Sequence, residues 1–158
     1  MTTTKRSKTS LVVSVVALLL SVLTVLGIAI GFGNSKITST KLNSLDYKNG
    51  AISELGKVIE SNESAVLKEI KTVKDMVIEL DEETATITYK VAFYDEEGKF
   101  LGMSEESSSD FDEANILEGA THFNLMITPN TVDGEAVKLD LFNRGKYVNQ
   151  LKVSFARD

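Results

Sequence analysis

The sequence predicts a mainly β protein with an N-terminal transmembrane helix, an amphipathic juxtamembrane helix and a small antiparallel β-sandwich. Three observations carry this. An uncharged apolar run fills Leu11 to Phe32, and apolar residues then recur every three or four positions from Ile52 to Val77. From Met76 the pattern changes to short alternating segments rich in Val, Ile, Thr, Tyr and Phe, separated by turn residues. A chain of 158 residues has room for one modest domain with extensions.

Residues 1–10 form a basic tail carrying Lys5, Arg6 and Lys8. The apolar run that follows is interrupted only by Ser14, Ser21, Thr24 and glycines, and residues 11–33 are assigned to the membrane span. At about 1.5 Å per residue the run reaches roughly 33 Å, enough to cross a hydrocarbon core. The cations before it place the N-terminus in the cytoplasm and the residues after Asn34 outside the plasma membrane; Lys36 and Lys41 weaken that asymmetry without reversing it. A cleaved signal peptide is the rival reading. Its apolar region is about 7–15 residues, shorter than this one, and Ala29-Ile30-Gly31 is a poor cleavage site, so a retained anchor is expected. Lipid contacts the chain through residues 11–32, and Gly27 with Gly31 forms a small-residue pair suited to helix association.

Residues 34–50 read as a polar linker closed by the turn pair Asn49-Gly50. Over residues 51–75 the spacing predicts a helix whose stripe runs Ile52, Leu55, Ile59, Asn62, Val66, Ile70, Val73, with Val77 extending it. The stripe has two readings. In a short coiled coil, Ile59 and Val66 line the seam and Asn62 sets register or chain number. In the other, the helix packs on its own β domain. Gly56 and an extra four-residue step count against a strict heptad.

Residues 76–158 carry the β domain. Ile87, Tyr89, Val91 and Phe93 alternate with Thr88, Lys90 and Ala92, the period of a half-buried strand. Asp95-Glu96-Glu97-Gly98 is a turn, with Lys99–Ser104 as the returning strand. Met76–Leu80, Thr121–Thr128, Ala136–Phe142 and Tyr147–Phe155 are further expected strands, the last two joined by a tight turn at Asn143-Arg144-Gly145-Lys146.

The stretch Val91-Ala92-Phe93-Tyr94-Asp95-Glu96-Glu97-Gly98-Lys99-Phe100-Leu101-Gly102, with Ile116 to Phe123 after it, resembles the FxLYD-type family of extracytoplasmic β-sandwich domains. The resemblance covers roughly 35 residues, mostly turn chemistry. Glu118 stands where that pattern has proline, and its Gly/Asn-rich strand start is missing. It implies an immunoglobulin-like sandwich, often membrane-tethered, with a binding or structural role and no active site. More distantly, a basic leader, apolar helix and β-sandwich resemble archaeal pilins.

Composition excludes several chemistries. Without cysteine there is no disulfide framework, thiolate nucleophile or Cys-based zinc site. The net charge of −6, with the tail basic, leaves an acidic body unsuited to nucleic acid. His122 is the only histidine, and no P-loop, GxGxxG or HExxH occurs, so neither an enzyme nor a cofactor is expected. Asp110, Asp112 and Glu113 in a Ser-rich loop are candidates for calcium, with Asp133-Gly134-Glu135 in a second acidic loop, though the spacing is not that of an EF-hand. Asn62-Glu63-Ser64 matches a glycosylation sequon, a pattern close to chance in this length. The function expected is that of a membrane-anchored structural or interaction protein of a prokaryotic envelope, self-associating or binding an envelope protein. A pilin-like filament subunit and a calcium-dependent binding domain are the alternatives.

Overall fold

Alternation of apolar and polar residues over eight positions is the strongest β signal in the chain, and it produces the two longest strands. The computed structural model describes residues 39–156. The chain divides between Ile37 and Thr38 into two units. The expected transmembrane helix, with Gly27 and Gly31, therefore lies outside the described residues. Among the described residues no helix is long and apolar enough to cross a membrane.

In chain order the elements are β1 (Ser39–Lys41), β2 (Tyr47–Asn49), β3 (Ala51–Ile52), β4 (Val58–Ile59), β5 (Ala65–Leu67), β6 (Lys71–Thr72), β7 (Val77–Leu80), β8 (Ile87–Tyr94), β9 (Phe100–Met103), β10 (His122–Pro129), α1 (Arg144–Val148) and β11 (Leu151–Ala156). All strand pairs are antiparallel. One sheet has the order β1-β11-β7. The larger has the order β2-β5-β10-β8-β9, with β6 also pairing with β10. A 3₁₀ turn at Ser44–Asp46 lies between β1 and β2.

One core is shared by both sheets. Ile87, Tyr89, Val91 and Phe93 of β8 and Phe123, Leu125 and Ile127 of β10 meet Ile78 and Leu80 of β7 and Leu151, Val153 and Phe155 of β11. The register sets Phe93 opposite Phe123, Val91 opposite Leu125 and Tyr89 opposite Ile127. Each such side chain contributes about 1.5–3 kcal/mol by leaving water.

The sequence placed a helix over residues 51–75, and this is corrected. That stretch forms β3, β4, β5 and β6. The stripe read as a seam is scattered: Val66 is fully buried, Ile52 nearly so, while Leu55, Ile59 and Ile70 face solvent. Two glycines explain part of this. Gly56 takes a φ of +74°, and a Cβ there would run into the Phe100 ring. It closes the β3–β4 hairpin, Ser53 and Lys57 pairing backbone N–H to carbonyl at 2.9 Å. The rest is tertiary. The outer face of the larger sheet offers an apolar surface, and the hairpin covers it: Ile52, Val66, Ala92 and Tyr94 form a second cluster with Phe100, Met103 and Met126 against it. The Tyr94 hydroxyl donates to the Gly56 carbonyl at 2.8 Å.

The domain boundary moves accordingly. The expected linker over 34–50 contains β1, the 3₁₀ turn and β2, and the core draws Tyr47, Ala65 and Leu67 from before the boundary set at residue 76. Ala136–Phe142 is not a strand, and the tight turn expected at Asn143–Lys146 is the start of α1. β5 ends at Leu67 and β6 begins at Lys71, leaving a gap beside β10. Asn124 fills it, its amide accepting from Leu67 N at 3.1 Å and donating to Leu67 O at 3.4 Å. A side chain thus replaces the missing strand backbone.

Candidate interaction surface

An Asp and an Asn three residues apart can each bond the backbone of the other, closing a turn without glycine. Asp140 and Asn143 do this. Asp140 Oδ1 accepts from the backbone N–H of Phe142 at 2.7 Å and of Asn143 at 2.8 Å. Asn143 Oδ1 accepts from Asp140 N–H at 2.8 Å, and its Nδ2 donates to Lys138 O at 2.9 Å. Leu141 and Phe142, held at the tip, are 81% and 95% exposed. On the inner side of the same loop Leu139 is buried, and its carbonyl accepts from Asn49 Nδ2 at 2.6 Å.

The turn leads into α1, which packs against the 3₁₀ turn, where Gly145 faces Ser44. Leu45 projects from that 3₁₀ turn at 76% exposure. Leu45, Leu141 and Phe142 are the three most exposed large apolar side chains among the described residues. Arg144 donates from Nη1 to Asn49 Oδ1 at 3.0 Å, joining α1 to β2. Lys41 on β1, Lys48 on β2, Lys138 before the turn and Lys146 on α1 are exposed. Among the described residues, none of these cations makes an ion pair; the pairs are Lys71–Glu69 and Lys90–Glu106. Two carboxylates of these segments, Asp46 and Asp140, accept backbone N–H groups, Asp46 from Asn43 at 2.8 Å.

The residues singled out from sequence fall elsewhere. Asp110 Oδ1 accepts from Leu80 N–H at 2.7 Å, while Phe111 N–H donates to Ile78 O at 3.0 Å. Its loop thus covers the open edge of β7. Asp112 caps the 3₁₀ turn Glu113–Asn115, accepting from Ala114 N–H at 2.9 Å. Asp110, Asp112 and Glu113 do not converge: among the described residues no group of three His, Cys, Asp or Glu could hold a metal ion. Ile59, Asn62 and Val66 form no seam. Ile59 lies on β4, the Asn62 carbonyl accepts from Leu139 N–H, and Val66 lies beneath the β3–β4 hairpin. His122 Nδ1 sits 2.8 Å from the Thr121 hydroxyl.

Three tyrosines are electrostatically distinct. Burial raises the pKa of Tyr47, and the nearby Asp46 charge adds to it. The Tyr47 hydroxyl is buried with no hydrogen-bond partner. Burial also raises Tyr94, and raises Tyr89 against an opposing hydrogen bond from Ser107.

The sequence did not bring Leu45, Leu141 and Phe142 together, because Leu141 and Phe142 read as the end of a strand. The signal present was the Asp140…Asn143 pair bracketing two apolar residues. The chain matches no family model, and neither a curated protein nor a solved structure matches it significantly.

Proposed function

We propose that this chain is a membrane-anchored extracytoplasmic structural or interaction protein of a prokaryotic envelope, presenting an immunoglobulin-like β-sandwich. The observation that carries the reading is the division between Ile37 and Thr38. It leaves the uncharged run Leu11–Phe32 wholly outside the β unit, so that run is available as the anchor the sequence predicts. The Lys5, Arg6 and Lys8 tail supports a cytoplasmic N-terminus. A binding role is further supported by Leu141 and Phe142, two large apolar side chains displayed on a hydrogen-bonded turn. The partial FxLYD-type resemblance points the same way, since it lies on residues with structural duties: Phe93 in the core, Tyr94 under the hairpin, and Asp95 closing its turn by accepting from Lys99 N–H at 2.8 Å.

Protease added to intact spheroplasts tests the topology. The β unit is expected to be digested while a fragment containing the N-terminus stays protected. Protection of the C-terminus, with digestion only after lysis, refutes it.

A further inference from the structure

We infer that the side of the β unit built from β1, the 3₁₀ turn, β2 and α1 rests on an anionic lipid surface, with Leu141 and Phe142 entering the headgroup layer. This rests on the anchored reading above.

Charge complementarity commits the surface to that partner. The chain as a whole is acidic, with 23 carboxylates against 17 cations. Yet Lys138, Arg144 and Lys146 flank Leu141 and Phe142 along the chain, and Lys41 and Lys48 lie on the edge strands β1 and β2, none of them with an ion pair among the described residues. Two of the neighbouring carboxylates, Asp46 and Asp140, are turned to backbone N–H groups; Glu60 lies near Asn49, and Glu79 shares a groove with Lys41 and Lys152. Basic residues around protruding Leu and Phe side chains are the pattern of an interfacial membrane contact, in which apolar tips enter the acyl boundary and cations meet phosphate. The apolar residues stand out on turns, Leu141 and Phe142 as an adjacent pair, which suits a soft layer.

The way the chain enters the unit favours the same face. β1, its first strand, is an edge strand of its sheet and leads straight into the 3₁₀ turn bearing Leu45. Ser39 follows Phe32 by seven residues, a reach of roughly 24 Å at full extension. So short a tether keeps the local lipid concentration high, and a contact too weak to recruit a free domain still forms.

The chain contains no tryptophan, so Phe142→Trp introduces a single reporter. The full-length variant is reconstituted into phosphatidylglycerol vesicles and into phosphatidylcholine vesicles. In the anionic vesicles its emission is expected to shift to the blue and to be quenched by brominated lipid. In the zwitterionic vesicles it emits as in water, and adding Lys138→Glu and Lys146→Glu abolishes the difference. Leu101→Trp, on β9 at the opposite edge of the larger sheet, stays water-like in both. A chain that floats with the vesicles while the reporter at position 142 emits as in water overturns the inference and leaves the anchor standing. A blue shift that follows protein density and ignores lipid charge overturns it in favour of a second copy. A chain that does not float overturns both readings.

Discussion

The two faces of the larger sheet bury apolar residues in different ways. The inner face meets a second sheet, and Val91, Phe93, Phe123, Leu125 and Ile127 are sealed from water there. The outer face meets only the β3–β4 hairpin, whose strands have two residues each. Ile52 of the hairpin and Val66, Ala92 and Tyr94 beneath it are nearly as buried as the inner set. The difference lies in what holds each cover. The inner one is held by strands from both ends of the β unit. The outer one depends on a short hairpin, the Tyr94–Gly56 hydrogen bond and the Ile52 N–H donating to the Met126 sulfur at 3.3 Å. Equal burial does not imply equal resistance to opening, because local opening is governed by the contacts that must break together.

The largest effect is expected from the inner face. Leu125→Ala removes a fully buried side chain from between the sheets, a loss of about 2–5 kcal/mol. Urea denaturation of the full chain in detergent measures it, and all probes are expected to move together. A cost under 1 kcal/mol would put the two faces on the same footing.

Gly56→Ala attacks the outer cover. It imposes a side chain at positive φ, costing about 1–2 kcal/mol, and sets its Cβ against Phe100. Hydrogen exchange is expected to quicken at Ile52–Val58 well before β8 and β10 respond. If β8 and β10 exchange equally fast, the hairpin is part of the global unit. Tyr94→Phe sharpens the same point, since only the hydrogen bond to Gly56 O is lost. About 0.5–1.5 kcal/mol is expected, again read at the hairpin amides.

The smallest effect at neutral pH belongs to Tyr47→Phe. The hydroxyl has no partner, so its removal is expected to change stability by less than about 1 kcal/mol, in the stabilising direction. Its larger consequence comes at high pH. Tyr47, Tyr89 and Tyr94 have folded-state pKa values raised by burial, so the folded state holds those protons more tightly than the unfolded one. Their contribution is fully present below the ordinary tyrosine pKa of about 10 and is lost as pH rises through and beyond it. Melting temperature is therefore expected to fall above pH 10 (approximately), less steeply in Tyr47→Phe. An unchanged slope would show that Tyr47 plays no part in alkaline unfolding.

How much was legible in the sequence follows from strand length. β8, β9 and β10 were read close to their observed limits because four to eight residues give alternation room to show. Residues 51–75 were misread because strands of two or three residues, joined by turns, leave apolar residues three and four apart, the spacing of a helix. Asn143–Lys146 failed for a related reason: Arg144-Gly145-Lys146 is turn-like in composition, and its helical turn packs against the 3₁₀ turn, a contact from far along the chain. The acidic loop pointed to a ligand by composition alone. In the fold, Asp110 and Asp112 serve backbone N–H groups, which no spacing reveals.

The sequence by itself determined the β class, the alternating core strands, the acidic body and the uncharged run ahead of it. Those properties are local or additive along the chain, and patterns of two or of twenty residues are enough to display them. Tertiary structure alone decided that residues 39–75 belong to the β unit. Whether Ile52 and Val66 form a helix stripe or a sheet cover depends on a partner surface, and that surface is made by Ala92, Tyr94 and Met126, far along the chain. It alone also brought the 3₁₀ turn bearing Leu45 against α1, the helix that follows Leu141 and Phe142. Contact between segments nearly a hundred positions apart exists only once α1 has docked.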